Sequence, residues 1–205
     1  MALRDRRREI LDAAAPIFGE EGYERASIDA IASRAGVSKP TVYSHFGGKE
    51  QLFRESVADS AQQQNEAALG AIAQLDYSAE GWQEALYRLG LGLADCSLSP
   101  CSVFLDRMIA AEVGRDPDIF DVVQVRAVRP VQEALAGRLA MLGNAGFLRI
   151  ADPVKAARQF MVLVNAELPG LTVLGTQRIS TEAFEGAVHD GVDTFLRAYA
   201  AEPAI

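Results

Sequence analysis

Ser27–Phe53 reads SIDAIASRAGVSKPTVYSHFGGKEQLF. Ser27 is suited to cap a short helix whose Ile28, Ile31, Ala32 and Ala35 fall on one face. Gly36 closes that helix, and the chain turns through Ala35-Gly36-Val37-Ser38. Glycine permits the tight turn, and Val37 is placed to fill the angle between two helices. Ser38 caps the next helix, which carries Pro40 in its first turn, where a missing N–H costs little. Gly47 and Gly48 end it at once, and a longer helix is expected from about Lys49, with Leu52, Phe53 and Val57 facing inward. Two short helices across a glycine turn are the sequence form of a helix-turn-helix. The second is polar along one side through Lys39, Thr41, Ser44 and His45, groups able to donate to base edges and phosphates.

The same helical spacing extends in both directions. Upstream, Ile10, Leu11, Ala14, Ile17 and Phe18 form one apolar face. Pro16 inside that run removes the backbone bond to Asp12 and is expected to kink or weaken the helix, and Gly22 ends it. From about Ser78 further helices are expected, with breaks at Ser97–Pro100, Gly114–Pro117, Gly143–Gly146 and Pro169–Gly170 or Gly175. Asp152-Pro153 and Ser180 are helix starts. GFLRI (Gly146–Ile150) is a short extended candidate and reads as a connector. With no alternating strand runs and no internal repeat, the expected fold is all-α. It divides into a three-helix helix-turn-helix domain over 1–48 and a helical domain over 49–205.

Charge sorts along the chain in the same way. The formal net charge is −8, yet residues 1–54 hold nine Lys/Arg against eight Asp/Glu, so the acid lies almost wholly beyond them. This suits a near-neutral DNA reader joined to an acidic body that repels DNA elsewhere. The two cysteines, Cys96 and Cys101, exclude a disulfide-stapled scaffold. They flank a turn, CSLSPC, and are either two small buried side chains or a redox pair, which would need one activated thiolate. The start, MALRDRRREI, lacks the apolar run of a signal peptide, and FMVLVNAELPGLTVLG (Phe160–Gly175) is too short and broken to span a membrane. A cytoplasmic protein is expected.

No HExxH, paired CxxC, GxSxG or phosphate-binding loop occurs, so no catalytic residue, cofactor or metal site is expected. His45 and His189 lie far apart, and His189, Asp190 and Asp193 read as a solvated face.

The run ILDAAAPIFGEEGYERASIDAIASRAGVSKPTVYSHFGGKEQLF, Ile10–Phe53, resembles without gaps the DNA-binding domain of the TetR/AcrR family of bacterial regulators. The resemblance implies groove contacts from Lys39 and Thr41, and phosphate contacts from Ser27, Tyr43, His45 and Lys49. Tyr43 can at once pack against the fourth helix, and Lys49 either touches a phosphate or simply begins that helix. Asp29 departs from the family, where a basic or neutral residue is common, and calls for neutralisation by Arg34 or Arg25. Arg4, Arg6, Arg7 and Arg8 form either a solvated tail or, the favoured reading, an arm onto DNA. DPVKAARQFMVLV (Asp152–Val164), following GFLRI, resembles the C-terminal domain of the AefR-like subgroup.

That resemblance implies a homodimer paired through helices at about 152–174 and 180–200, bound to double-stranded operator DNA and released by a small, mostly apolar effector. Both helices read as apolar on more than one side. Most aromatic and methionine side chains are core, but Phe104, Met108, Phe160 and Asn165 are candidates to line an effector cavity. Asn165 and Glu167, polar within an apolar helix, face either a pocket or the dimer seam. The alternative reading is a helical ligand-binding or interaction protein that has lost DNA binding; Asp29 and the low N-terminal charge are its only support.

Overall fold

The computed structural model describes residues 2–114 and 118–201, with side chains at all of them except 2–5, 64, 100, 101, 104, 108, 111, 112, 119, 120, 122 and 127. Phe104 and Met108, two of the expected cavity residues, and Cys101 therefore fall outside the described side chains. The elements are α1 (Ala2–Arg25), α2 (Ile28–Arg34), α3 (Lys39–Phe46), α4 (Lys49–Ala73), α5 (Trp82–Leu98), α6 (Pro100–Glu112), α7 (Asp118–Val123), a π-helical turn (Gln124–Val128), α8 (Arg129–Asn144), α9 (Pro153–Asn165), α10 (Leu168–Leu171) and α11 (Thr181–Tyr199). The fold is all-α as expected. Extended pairing among the described residues is one isolated antiparallel bridge, from Leu148 of the expected connector to Ala200.

The helices group into two compact units, residues 1–64 with 100–127 and residues 65–99 with 128–205. The expected division at 48/49 follows the end of the three-helix motif. Spatial proximity instead groups the first part of α4, with α6 and α7, alongside that motif.

In the first unit α1 buries Ile10, Leu11, Ala14, Ile17 and Phe18. Phe18 meets Phe53 of α4 edge-on at 5.0 Å between ring centroids, and Tyr23 adds a second contact to Phe53 at 5.1 Å. Each such fully buried side chain contributes about 1.5–3 kcal/mol. This packing explains why Pro16 does not interrupt α1: the backbone departs from helical dihedrals at Gly22 (φ 75°, ψ 166°), not at the proline. Buried residues on both sides of Pro16 hold the helix across its one missing hydrogen bond. Gly22 does close the helical path, as the sequence implied.

In the second unit α5, α8, α9 and α11 share one core. Leu86, Leu89 and Leu93 meet Leu135, Leu139, Phe160, Val164, Val188, Val192 and Phe195. Asp152 caps α9 by accepting from the Lys155 N–H at 3.0 Å, and Ser180 caps α11 by accepting from Ala183 at 3.2 Å. The connector after α8 is tied to the end of α11, the Arg149 N–H donating to the Tyr199 carbonyl at 2.7 Å. The helix expected over 152–174 is shorter: it stops at Asn165. Pro169 cannot donate back to the Asn165 carbonyl, so the chain breaks and restarts as the single turn α10. Thr172, buried, then fastens the exit, its hydroxyl donating to the Leu168 carbonyl at 2.7 Å, and Val173 and Leu174 take positive φ of 48° and 56°.

Candidate nucleic-acid interface

Local chemistry builds the motif. Ser27 caps α2 and Ser38 caps α3, its Oγ accepting from the Thr41 N–H at 3.3 Å. At the turn Gly36 sits at φ 67°, with its N–H bonded to the Ser33 carbonyl at 3.2 Å and the Val37 N–H bonded to Ala32 at 3.0 Å. These two bonds form a Schellman closure, which satisfies the last carbonyls of α2 and sends the chain into α3. Gly47 ends α3 at φ 74°. Ile28, Ile31, Ala32, Val42 and Phe46 are buried, which leaves the polar sides of both helices outward.

The expected DNA residues divide into two groups. Ser27 is exposed, and its Oγ accepts from the Asp29 N–H at 3.2 Å, leaving its own proton to donate outward. Thr41 shares a hydrogen bond with Ser38 at 2.8 Å, while Tyr43 projects with 45% of its surface exposed. Lys39 lies 2.9 Å from the Asp29 carboxylate, which holds its ammonium above the ordinary lysine range through a direct hydrogen bond. His45 is half-buried. Lys49 is half-buried and already engaged within the fold: its Nζ donates to the Glu24 carbonyl at 3.0 Å and lies 4.7 Å from the centre of the Tyr23 ring.

Two charge arrangements differ from the sequence reading. Asp29 is met by Lys39, not by Arg34 or Arg25 as expected, and Arg25 Nε donates to the Glu21 carbonyl at 3.0 Å. The basic N-terminus belongs to α1 and is not a separate arm. Arg6 pairs with Glu9 at 3.0 Å, Arg7 pairs with Glu55, and Arg8 reaches Asp12 at 2.9 Å and Asp59 at 2.7 Å. Glu55 and Asp59 are four apart on α4 and so form one acidic edge that draws these guanidinium groups in.

In the second unit Phe160 is fully enclosed, edge-on to Phe195 at 5.0 Å. Asn165 donates through Nδ2 to the Met161 carbonyl at 2.8 Å, while its Oδ1 is enclosed and accepts no hydrogen bond among the described residues. Burial pushes the Cys96 thiol up, with Asp95 adding to the effect, which is opposite to what an activated thiolate requires. Among the described residues no group of His, Cys, Asp and Glu could hold a metal ion, and no helix is long and apolar enough to cross a membrane.

Comparison with known proteins agrees with this geometry. Residues 10–56 match the sequence model of the bacterial regulatory proteins of the tetR family, and residues 84–201 match that of the AefR-like transcriptional repressor C-terminal domain. The structure of a TetR-family protein from Mesorhizobium loti MAFF303099 is 28% identical, with a TM-score of 0.90 over 98% of this chain and 100% of that one. The flavonoid-responsive regulator FrrA is 31% identical, with a TM-score of 0.75 over 97% of this chain and 98% of its own. The transcriptional repressor KstR of Mycobacterium tuberculosis is 31% identical over 134 residues, 62% of this chain. The chain spans 60% of the length of KstR, and 22% and 16% of two other curated relatives.

Proposed function

The chain belongs to the tetR family of DNA-binding transcriptional regulators, with an AefR-like C-terminal domain, and from that premise we propose that it is an effector-released repressor that binds a pseudo-palindromic operator as a homodimer. The observation that carries the reading is the α2–turn–α3 motif, closed and capped with its polar edge outward. Lys39 and Thr41 would meet base edges, and Ser27, Tyr43, His45 and Lys49 phosphates. Two recognition helices would then lie about 34 Å apart or somewhat more, one per half-site.

Dimerisation is supported by apolar surface on α9 and after it: Val162 is 66% exposed and Leu174 74%, and Val154, Leu171 and Val173 are also exposed. A monomer gains nothing from leaving such a surface in water, whereas a two-fold interface covers it. Repression is supported by the AefR-like repressor match and by KstR. A small, mostly apolar effector is supported by the flavonoid response of FrrA, and the enclosed Asn165 Oδ1 would accept from its hydroxyl. The effector would act by preferring a conformer that no longer matches the half-site spacing, since only differential affinity for two states releases DNA.

The test is selection of bound duplexes from a random pool by the purified protein, repeated at two salt concentrations. An enriched palindrome whose affinity falls as salt rises is expected. An unenriched pool would leave the alternative, an all-helical protein whose function lies in ligand binding or in a protein partner.

A further inference from the structure

Asp29 is the second residue of α2 and Lys39 the first of α3, and their side chains meet at 2.9 Å while 68% and 47% exposed respectively. An ion pair this exposed contributes little to stability, so the fold gives weak reason for it. Nor does it help a general grip on DNA. A carboxylate beside the phosphates repels them, and it occupies the cation that leads the recognition helix. The pair does offer a donor beside an acceptor.

A G·C base pair displays the complement in the major groove: the guanine O6 and N7 acceptors lie next to the cytosine N4 amino donor. An A·T pair sets its adenine N6 donor between two separated acceptors, adenine N7 and thymine O4, so an ammonium meets one acceptor there where guanine offers two side by side.

We infer that Asp29 and Lys39 act as one reader of a G·C base pair in each half-site, Lys39 Nζ donating to guanine O6 and N7 and Asp29 accepting from the cytosine N4 amino group. This rests on the operator binding proposed above. Asp29 then adds selectivity at the expense of non-specific affinity, because against phosphates and acceptor edges its carboxylate meets no donor from the DNA.

The experiment repeats the random-duplex selection with the wild-type protein, Asp29→Ala and Lys39→Gln, after circular dichroism has verified the helical content of each variant. The wild type should recover an operator with an invariant G·C pair in each half-site. Asp29→Ala should lose about tenfold or more of the preference at that pair, keep the preferences elsewhere, and bind random duplex more tightly. Lys39→Gln should lose preference at the same pair. A merely structural role would weaken every position alike. An Asp29→Ala operator identical to the wild type overturns the inference and leaves the operator reading standing, as does a loss confined to an A·T pair. A wild-type pool with no enriched sequence overturns both.

Discussion

Gly191 of α11 lies against the backbone of Leu163 in α9, so close that a Cβ at 191 would stand 2.7 Å from the Leu163 carbonyl carbon and 2.9 Å from the Val164 Cα. Backbone atoms cannot rotate aside, so Gly191→Ala must push the two helices apart. Val164, Val188, Val192 and Phe195, all buried around that crossing, would lose contact together. The expected loss is about 1–3 kcal/mol, or several degrees in thermal midpoint. Gly90→Ala provides the comparison: its nearest obstacle is the Val192 Cγ2 at 2.8 Å, a side-chain methyl that can shift, so its loss should be smaller. Thermal unfolding of both variants checks the order, and equal stabilities would contradict it.

Tyr87 of α5 donates its hydroxyl to Asp193 of α11, and its ring lies 4.8 Å from that of His189. The hydrogen bond, and after it burial, pushes the tyrosine up to about 12 from its ordinary 10.0. The fold thus favours the protonated form, and the stability it adds is fully present below the unfolded value. That stability should fade as pH rises from about 10 through about 12. Tyr87→Phe should lower stability at neutral pH and flatten this alkaline decline. Urea unfolding of the two proteins at neutral pH and at the upper end of that window measures the difference. An unchanged alkaline profile in the variant would show that Tyr87 is not the group responsible.

The parts of this fold that were legible in sequence are those whose causes act within about four residues. Ser27, Gly36, Ser38 and Gly47 each cap or turn their own neighbours, so the recognition motif could be read off directly. That α1 runs on through Pro16 was less legible, because the side chains that keep it continuous are buried against other helices. The helix over 152–174 was drawn too long because apolar periodicity continues past Pro169, whereas the backbone does not. The ion pairs were illegible for a different reason. Lys39 with Asp29, Arg7 with Glu55 and Arg8 with Asp59 join positions 10, 48 and 51 apart, and only the tertiary arrangement brings them together.

Lys49 has a role in the fold that precedes any role at DNA. Its ammonium caps the carbonyl of Glu24 near the end of α1 and sits over Tyr23, which itself packs on Phe53 of the same helix as Lys49. Lys49→Ala should therefore cost about 1 kcal/mol in the absence of DNA. Thermal unfolding of the DNA-free variant is the measurement. A variant as stable as the wild type but weaker on operator would return Lys49 to the phosphate contacts alone.

Arg7 and Arg8 lead to an expectation opposite to the arm reading. Arg7 pairs with Glu55 and stands 5.2 Å from the centre of the Phe46 ring at the end of α3, and Arg8 bridges Asp12 and Asp59. To reach a phosphate each would have to abandon a carboxylate already in contact. Every phosphate neutralised adds about 0.9 to the slope of log affinity against log salt, so an arm using both would contribute nearly 2 per protomer. We expect Arg7→Ala with Arg8→Ala to leave that slope unchanged while lowering stability by about 1 kcal/mol or less, as exposed ion pairs do. Titrating the operator at several salt concentrations separates the two cases. A slope reduced by nearly 2 would mean that the pairs on α4 exchange for DNA, with Glu55 and Asp59 holding the arginines only until a duplex arrives.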